Sequence, residues 1–264
     1  NTQNTTIANQ YMTTNGIFAQ YEHKINIFRI SVGARFDNYL INNLEDADQK
    51  KEGQVFSPRT NILIDLTDFL QFRASYSQGF RAPQVFDEDL HIETSGSRQV
   101  LHRNSQDLQQ ETSHSISSSL DFKKNIGKTN ISLLAEGFYT ILQNPFVNEY
   151  GEADENGVVV YTRINASEGA VVQGINFELS VFPHKNISFR SGFTLQQSLY
   201  KDAQEFNEKR FFRTPDNYGF FTLDYQVSKN FSTSANGTYT GKMLVPYFGT
   251  NISNPENGEL RNSD

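Results

Sequence analysis

The sequence contains no cysteine, which removes disulfide frameworks and thiolate metal sites and leaves the redox compartment open. It has no stretch near the roughly 20 consecutive apolar residues of a membrane-spanning helix. A basic stripe is missing too: Lys and Arg total 23 against 30 Asp and Glu, for a formal net charge of −7. A nucleic-acid backbone therefore finds no matching surface, and no nucleic-acid partner is expected. The first ten residues, NTQNTTIANQ, carry neither the basic nor the apolar part of a signal peptide. These absences leave two classes open, a soluble protein or one that meets a membrane with strands.

What is present is alternation. Leu70, Phe72, Ala74 and Tyr76 share one side of a strand, and Gln71, Arg73, Ser75 and Ser77 the other, because successive strand side chains point to opposite faces. Phe28, Ile30, Val32, Ala34 and Phe36 likewise oppose Arg29, Ser31, Gly33, Arg35 and Asp37. The pattern recurs at about 16–22, 27–38, 59–66, 70–79, 114–123, 130–142, 174–182, 187–199, 218–228 and 231–241, which predicts about ten strands. The chain is thus expected to be all-β.

The connections sort into two kinds. Short turns are expected at 23–25, 67–69, 125–128, 183–186 and 228–230, and long polar links at 39–56, 80–112, 143–172 and 200–216. A soluble sandwich has no reason to alternate them, whereas an outer-membrane barrel puts tight periplasmic turns on one rim and long extracellular loops on the other. Strands of this length also suit a tilted crossing of the bilayer, and a closed sheet satisfies every backbone polar group in lipid. A soluble β-sandwich, as a carbohydrate-binding or adhesin-like domain, is the alternative, with the apolar faces packed on each other.

The segments LQFRASYSQGFRAPQVFDED, QQETSHSISSSLDFK, NISLLAEGFYTILQNPF, VQGINFELS and RTPDNYGFFTLDYQ follow one another in order over nearly the whole chain. Together they resemble the barrel of a TonB-dependent outer-membrane receptor. The strand that ends in Gly79, Phe80, Arg81, Ala82 and Pro83 is the most specific part, and GKMLVPYFG resembles versions from Bacteroidetes-type bacteria. The resemblance implies an antiparallel meander forming part, about ten strands, of a large 22-stranded transmembrane β-barrel. It also implies a globular plug inside the barrel, partnership with the TonB energy-coupling complex through that plug, and an outer-membrane location among lipid. The ligand it implies is a small-molecule metal chelate, such as a ferric siderophore, or a corrinoid. A glycan importer with a lipoprotein partner is the alternative within the same class.

No plug domain or energy-coupling box is recognisable in this sequence, so residues 1–264 are expected to be a partial barrel, without plug and terminal strands. Parity sends Arg73, Arg81, Arg190, Glu136 and Glu178 to the lumen, toward the plug, and the two carboxylates are expected to pair with Arg29, Arg35, Arg73 or Arg190. Arg81 is expected to act as a rim anchor. Ligand contacts are expected from the long links, which hold aromatic and cationic side chains suited to anionic, aromatic chelates. The candidates are Phe86, His91, Arg98, His102, Arg103, Tyr150, Tyr161, Arg163, Arg210, Phe211, Phe212, Tyr247 and Phe248. His91, Glu93 and His102 do not amount to a metal set. No nucleophile elbow or Ser-His-Asp spacing is present, so neither enzyme chemistry nor a cofactor is expected.

Overall fold

The computed structural model describes residues 10–43, 50–84, 99–153, 158–247 and 258–263. Its strands are β1 (Gln10–Ile25), β2 (Phe28–Asn43), β3 (Lys51–Thr67), β4 (Leu70–Arg81), β5 (Gln99–Asn104), β6 (Glu111–Ile126), β7 (Thr129–Gln143) and β8 (Phe146–Ala153). They continue as β9 (Val158–Asn165), β10 (Ala170–His184), β11 (Ile187–Tyr200), β12 (Asn217–Ser228), β13 (Phe231–Thr240), β14 (Leu244–Tyr247) and β15 (Glu259–Asn262). One antiparallel sheet of ten strands runs in the order β1-β2-β3-β4-β6-β7-β10-β11-β12-β13. The ten expected strands are all in it. There is one broad meander rather than two face-packed sheets, so the sandwich alternative is set aside. No described helix is long and apolar enough to cross a membrane.

Register carries the parity of each strand across the sheet. One row reads Ile64, Phe72, Leu120, Ala135, Phe177, Phe193 and Gly219 from β3 to β12. The adjacent row, on the other face, reads Leu63, Arg73, Ser119, Glu136, Asn176, Thr194 and Tyr218. Burial is inverted relative to a water-soluble fold. Phe177, Phe193 and Leu223 are 46%, 41% and 42% exposed, so nothing in the described chain covers the apolar face, while Ser31, Asp37, Ser119, Thr194 and Ser198 on the polar face are buried. A monomer in water does not leave so wide an apolar surface open.

The two rims differ. Two-residue turns join β1–β2, β3–β4, β6–β7, β10–β11 and β12–β13 along one rim. The first falls at Asn26 and Ile27 rather than at 23–25, with Asn26 in the left-handed region at φ 52; tight hairpins need such a residue and Asn supplies it. Register shifts at Asp65/Thr67, Val181/His184 and Gln226/Ser228 sit beside these turns.

The opposite rim is built more heavily than expected. The supposed link 39–56 is mostly strand, since β2 runs to Asn43 and β3 begins at Lys51. The links between β4 and β6 and between β7 and β10 contribute a separate three-stranded sheet, ordered β5-β9-β8, in which β5 and β9 are parallel. The link after β11 holds a single 3-10 turn at Glu205–Asn207.

Near this rim the large sheet forks. The β3–β4 ladder ends at Arg59↔Ser77, beyond which β3 pairs with β2 and β4 with β6. The wedge is filled by Tyr39, Ile41, Val55 and Ala82, with Met12 and Phe80 packed against them. Tyr39 stacks on Phe80 at 5.9 Å between ring centroids. Its ring also covers Gly53, where an added Cβ would lie 2.4 Å away, so the aromatic takes the place of the missing side chain.

Candidate functional site

The long-link rim holds a cleft of about 420 Å³ above the polar face, and Arg81, Glu111, Phe146, Tyr200, Phe211 and Phe212 lie in its lining. Register creates its first wall: Arg81 at the end of β4 lies opposite Glu111 at the start of β6. Arg81 Nη2 sits 3.2 Å from Glu111 Oε2, and the same oxygen accepts the Phe146 backbone N–H at 3.1 Å. That hydrogen bond pins the start of β8. The Arg81 guanidinium then lies over the Phe146 ring, 4.6 Å from its centroid, with Arg163 of β9 at 5.8 Å from the same ring. Arg163 Nη1 also donates to the carbonyl of Gln84 at 3.1 Å.

The second wall comes from the end of β11 and the link after it. Tyr200 stacks on Phe211 at 4.3 Å and 23°, and Phe206 meets Phe212 edge-on at 5.9 Å. The backbone is bent to permit this, with Phe206, Asn207 and Arg213 at φ 58, 53 and 55, conformations that cost non-glycine residues and persist where surrounding contacts enforce them. The Arg213 N–H is held by the Leu244 carbonyl at 2.7 Å, which ties the link to β14.

Chemically, the cleft offers aromatic faces beside a guanidinium whose side chain is 39% exposed. Such a lining takes planar or anionic small molecules by stacking and charge-assisted hydrogen bonds. Among the described residues no group of three His, Asp or Glu is placed to hold a metal ion.

Of the sequence-predicted positions, the structure gathers Arg81, Phe211 and Phe212 in this cleft and places Arg163 behind Phe146. Tyr161 is buried in β9. Arg210 turns away and pairs with Asp216 at 2.7 Å, while Tyr247 lies under the Arg261 guanidinium at 3.8 Å. His102 and Arg103 sit on β5 opposite Tyr161 and Thr162, their side chains outside the description, as is that of Tyr150. Phe86, His91, Glu93, Arg98 and Phe248 lie outside the described residues.

The polar face holds Arg73, Glu136, Glu178 and Arg190 as parity required. The expected pairings are replaced by nearer partners. Glu136 Oε1 accepts from Asn176 Nδ2 at 3.1 Å, Arg35 pairs with Asp37 at 2.7 Å and Arg29 with Glu22 at 3.8 Å. Arg73 reaches Gln71 Oε1 at 3.4 Å, and Arg190 lies 5.8 Å from the Phe182 ring centroid. Each of these partners lies two residues along the same strand or on the adjacent strand, whereas Glu136 is two strands away from Arg73.

Sequence reasoning missed Glu111, Phe146 and Tyr200. Tyr200 alone had a usable signal, since it continues the polar-face parity of Thr194 and Ser198.

A family model described as TonB dependent receptor-like, beta-barrel, matches residues 1–259. The chain is similar in fold to the ferric-catecholate import receptor Fiu from E. coli K12, at 17% identity and TM-score 0.65 over 89% of this chain and 35% of that one. It is similar to the FrpB iron transporter from Neisseria meningitidis (F3-3 variant), at 14% identity and TM-score 0.62 over 89% of this chain and 34% of that one. It also resembles FpvA of P. aeruginosa, solved with an iron-bound heterologous pyoverdine, at 14% identity and TM-score 0.63 over 96% of this chain and 31% of that one. The chain thus spans about a third of the length of these structures. No curated protein matches.

Proposed function

The chain belongs to the TonB dependent receptor-like β-barrel family, and on that premise we propose that it forms part of a 22-stranded outer-membrane barrel importing a scarce ligand with TonB-coupled energy. In this reading the apolar face meets lipid and the polar face lines the lumen. The turn rim is periplasmic and the link rim extracellular. Arg73, Arg190, Glu136 and Glu178 face a plug domain carried by the same receptor, through which the TonB complex acts. The segment GKMLVPYFG favours a source among Bacteroidetes-type bacteria.

The ligand we propose is a ferric siderophore or a corrinoid. The observation that carries this is the cleft in which Arg81 and Phe146 face Tyr200, Phe211 and Phe212: stacked aromatics beside a cation suit a bulky, anionic chelate better than a bare ion. The names of the iron transporter, the ferric-catecholate receptor and the pyoverdine complex point the same way. The test is growth of a strain lacking the receptor on single sources of iron or cobalamin. Loss of growth on one source, restored by the whole gene and blocked by a proton uncoupler while binding persists, is the expected result. Normal growth on all of them, with a defect on a glycan, replaces this ligand class by the glycan importer.

A further inference from the structure

The turn rim carries a repeated pair of residues that neither the barrel wall nor the cleft uses. Lys24 with Asn26, Lys128 with Asn130, Lys185 with Asn186 and Lys229 with Asn230 recur at four of the five hairpins. The pairs are far apart in sequence, and the meander brings them to one rim, with the β6–β7, β10–β11 and β12–β13 hairpins as consecutive neighbours. All four lysines are exposed, and Lys128, Lys185 and Lys229 stand in the two-residue turns themselves. Tips of neighbouring hairpins are two strands apart, about 10 Å along the rim.

Local structure does not account for the pairs. Of the four asparagines Asn26 alone takes a positive φ, so turn geometry does not demand Asn at the other three tips. Among the described residues none of the four lysines is in an ion pair. The acids nearby are engaged: Lys123 holds Asp121 at 2.8 Å, Arg29 holds Glu22 at 3.8 Å, and Gln71 donates to Asp65 at 2.8 Å. Asp68 at the β3–β4 tip is the acidic exception. A chain of net charge −7 thus presents a series of ammonium groups here.

Each pair offers an ammonium to a carboxylate and an amide to hydroxyl and N-acetyl groups. Repetition at even spacing fits a polymer rather than one small molecule. We infer that this rim docks the cell-wall glycan, whose N-acetylated sugars carry peptide stems with free carboxylates. Anionic phospholipid headgroups lie beside a barrel, whereas these tips project past the strand ends. The lysine that does stand on the apolar face, Lys124, is held over the Phe69 ring at 4.3 Å from its centroid. The inference rests on the periplasmic placement of the turn rim made above.

The test pellets the whole receptor, in phosphatidylcholine nanodiscs, with purified peptidoglycan sacculi. The triple variant Lys128→Glu, Lys185→Glu and Lys229→Glu is expected to weaken pelleting about tenfold, the combined scale of three exposed charge pairs. Lys128→Arg, Lys185→Arg and Lys229→Arg together are expected to keep it. High salt and amidation of the sacculus carboxylates are each expected to release the receptor, and phosphatidylglycerol nanodiscs added as competitor are not. No pelleting of the native receptor, equal pelleting of the Glu variant, indifference to amidation, or displacement by phosphatidylglycerol overturns the inference. Heat-modifiable gel migration reports folding; if the Glu variant does not fold, Gln at the same three positions takes its place. The chain has no cysteine, so Lys229→Cys reports the rim's side through a bulky maleimide. Labelling of intact cells removes the orientation on which the docking rests, whereas a Cys protected until the outer membrane is opened, with no pelleting, removes the docking alone.

Discussion

The two faces of the ten-stranded sheet use the same backbone and obey opposite solvents. On the polar face neighbours are tied across strands: Asn176 to Glu136 at 3.1 Å, Thr194 to Asn176 at 2.9 Å, Ser75 to Ser117 at 2.8 Å and Ser188 to Asp224 at 2.9 Å. On the apolar face most side chains are large and exposed, and fewer are tied across strands, as Tyr76 is to His114 at 3.0 Å and Gln173 to Gln197 at 3.1 Å. Specificity of register therefore resides chiefly on one face and compatibility with hydrocarbon on the other. A one-residue slip exchanges the two sets and loses both properties together.

Adjacent leucines in β7 test this division most severely. Leu133 lies on the apolar face, beside Leu179 and Phe122, and Leu134 on the polar face, between Asp121 and Glu178. Leu133→Arg is expected to destabilise the assembled barrel by about 2–4 kcal/mol, the cost of a cation near the bilayer midplane. Leu134→Arg, flanked by two carboxylates, is expected to be close to neutral. Heat-modifiable migration of the whole receptor from outer membranes measures both, and equal losses would show that the faces are misassigned.

A smaller effect is expected at Asn176. Asn176→Leu removes partners from both Glu136 and Thr194 and is expected to cost about 1–3 kcal/mol in thermal stability. Its neighbour Phe177→Leu, on the apolar face, is expected to change stability by no more than about 0.5 kcal/mol. Reversal of that order would mean that packing against lipid, not hydrogen bonding, selects the register.

The smallest effect on stability is expected at the rim. Arg81→Lys keeps the charge opposite Glu111 but loses the flat stacking on Phe146. Melting is expected to move by less than about 1 kcal/mol, as for other partly exposed ion pairs, while ligand affinity falls. Unaltered affinity for the chelate identified by the growth test would remove Arg81 from the binding wall.

Within the span of the sheet the fold was legible because period two leaves no other assignment for stretches such as Phe28 to Phe36 or Ile187 to Leu195. Beyond the apolar band the signal fades. The ends of β2 and β3, DNYLINN and KEGQ, break the alternation, since Tyr39, Leu40 and Ile41 put apolar side chains on both faces and KEGQ has none, so they read as loop although their backbones stay paired to Ile41↔Lys51. The small sheet was invisible for a related reason: β5 and β9 meet through main-chain bonds between links far apart in sequence. In the cleft, Phe211 and Phe212 stood out as aromatics, but Glu111 had meaning only once register set it against Arg81. Arg210 was grouped with Phe211, although strand parity sends consecutive residues to opposite sides.

Asn165 has a consequence for how such a receptor diverges. Its side-chain oxygen accepts the Gln109 N–H at 2.8 Å, and its Nδ2 donates to the carbonyls of Gln109 at 3.0 Å and Asn144 at 2.7 Å. The link after β4 and the link after β7 are stitched there and again along β5 and β9. They are one inheritable unit rather than two interchangeable modules. A chimera that transplants one alone brings half a sheet without its partner, whereas a recombination carrying residues 81–169 as a block moves the small sheet and the first wall of the cleft together and leaves the second wall, Tyr200, Phe211 and Phe212, with the recipient barrel.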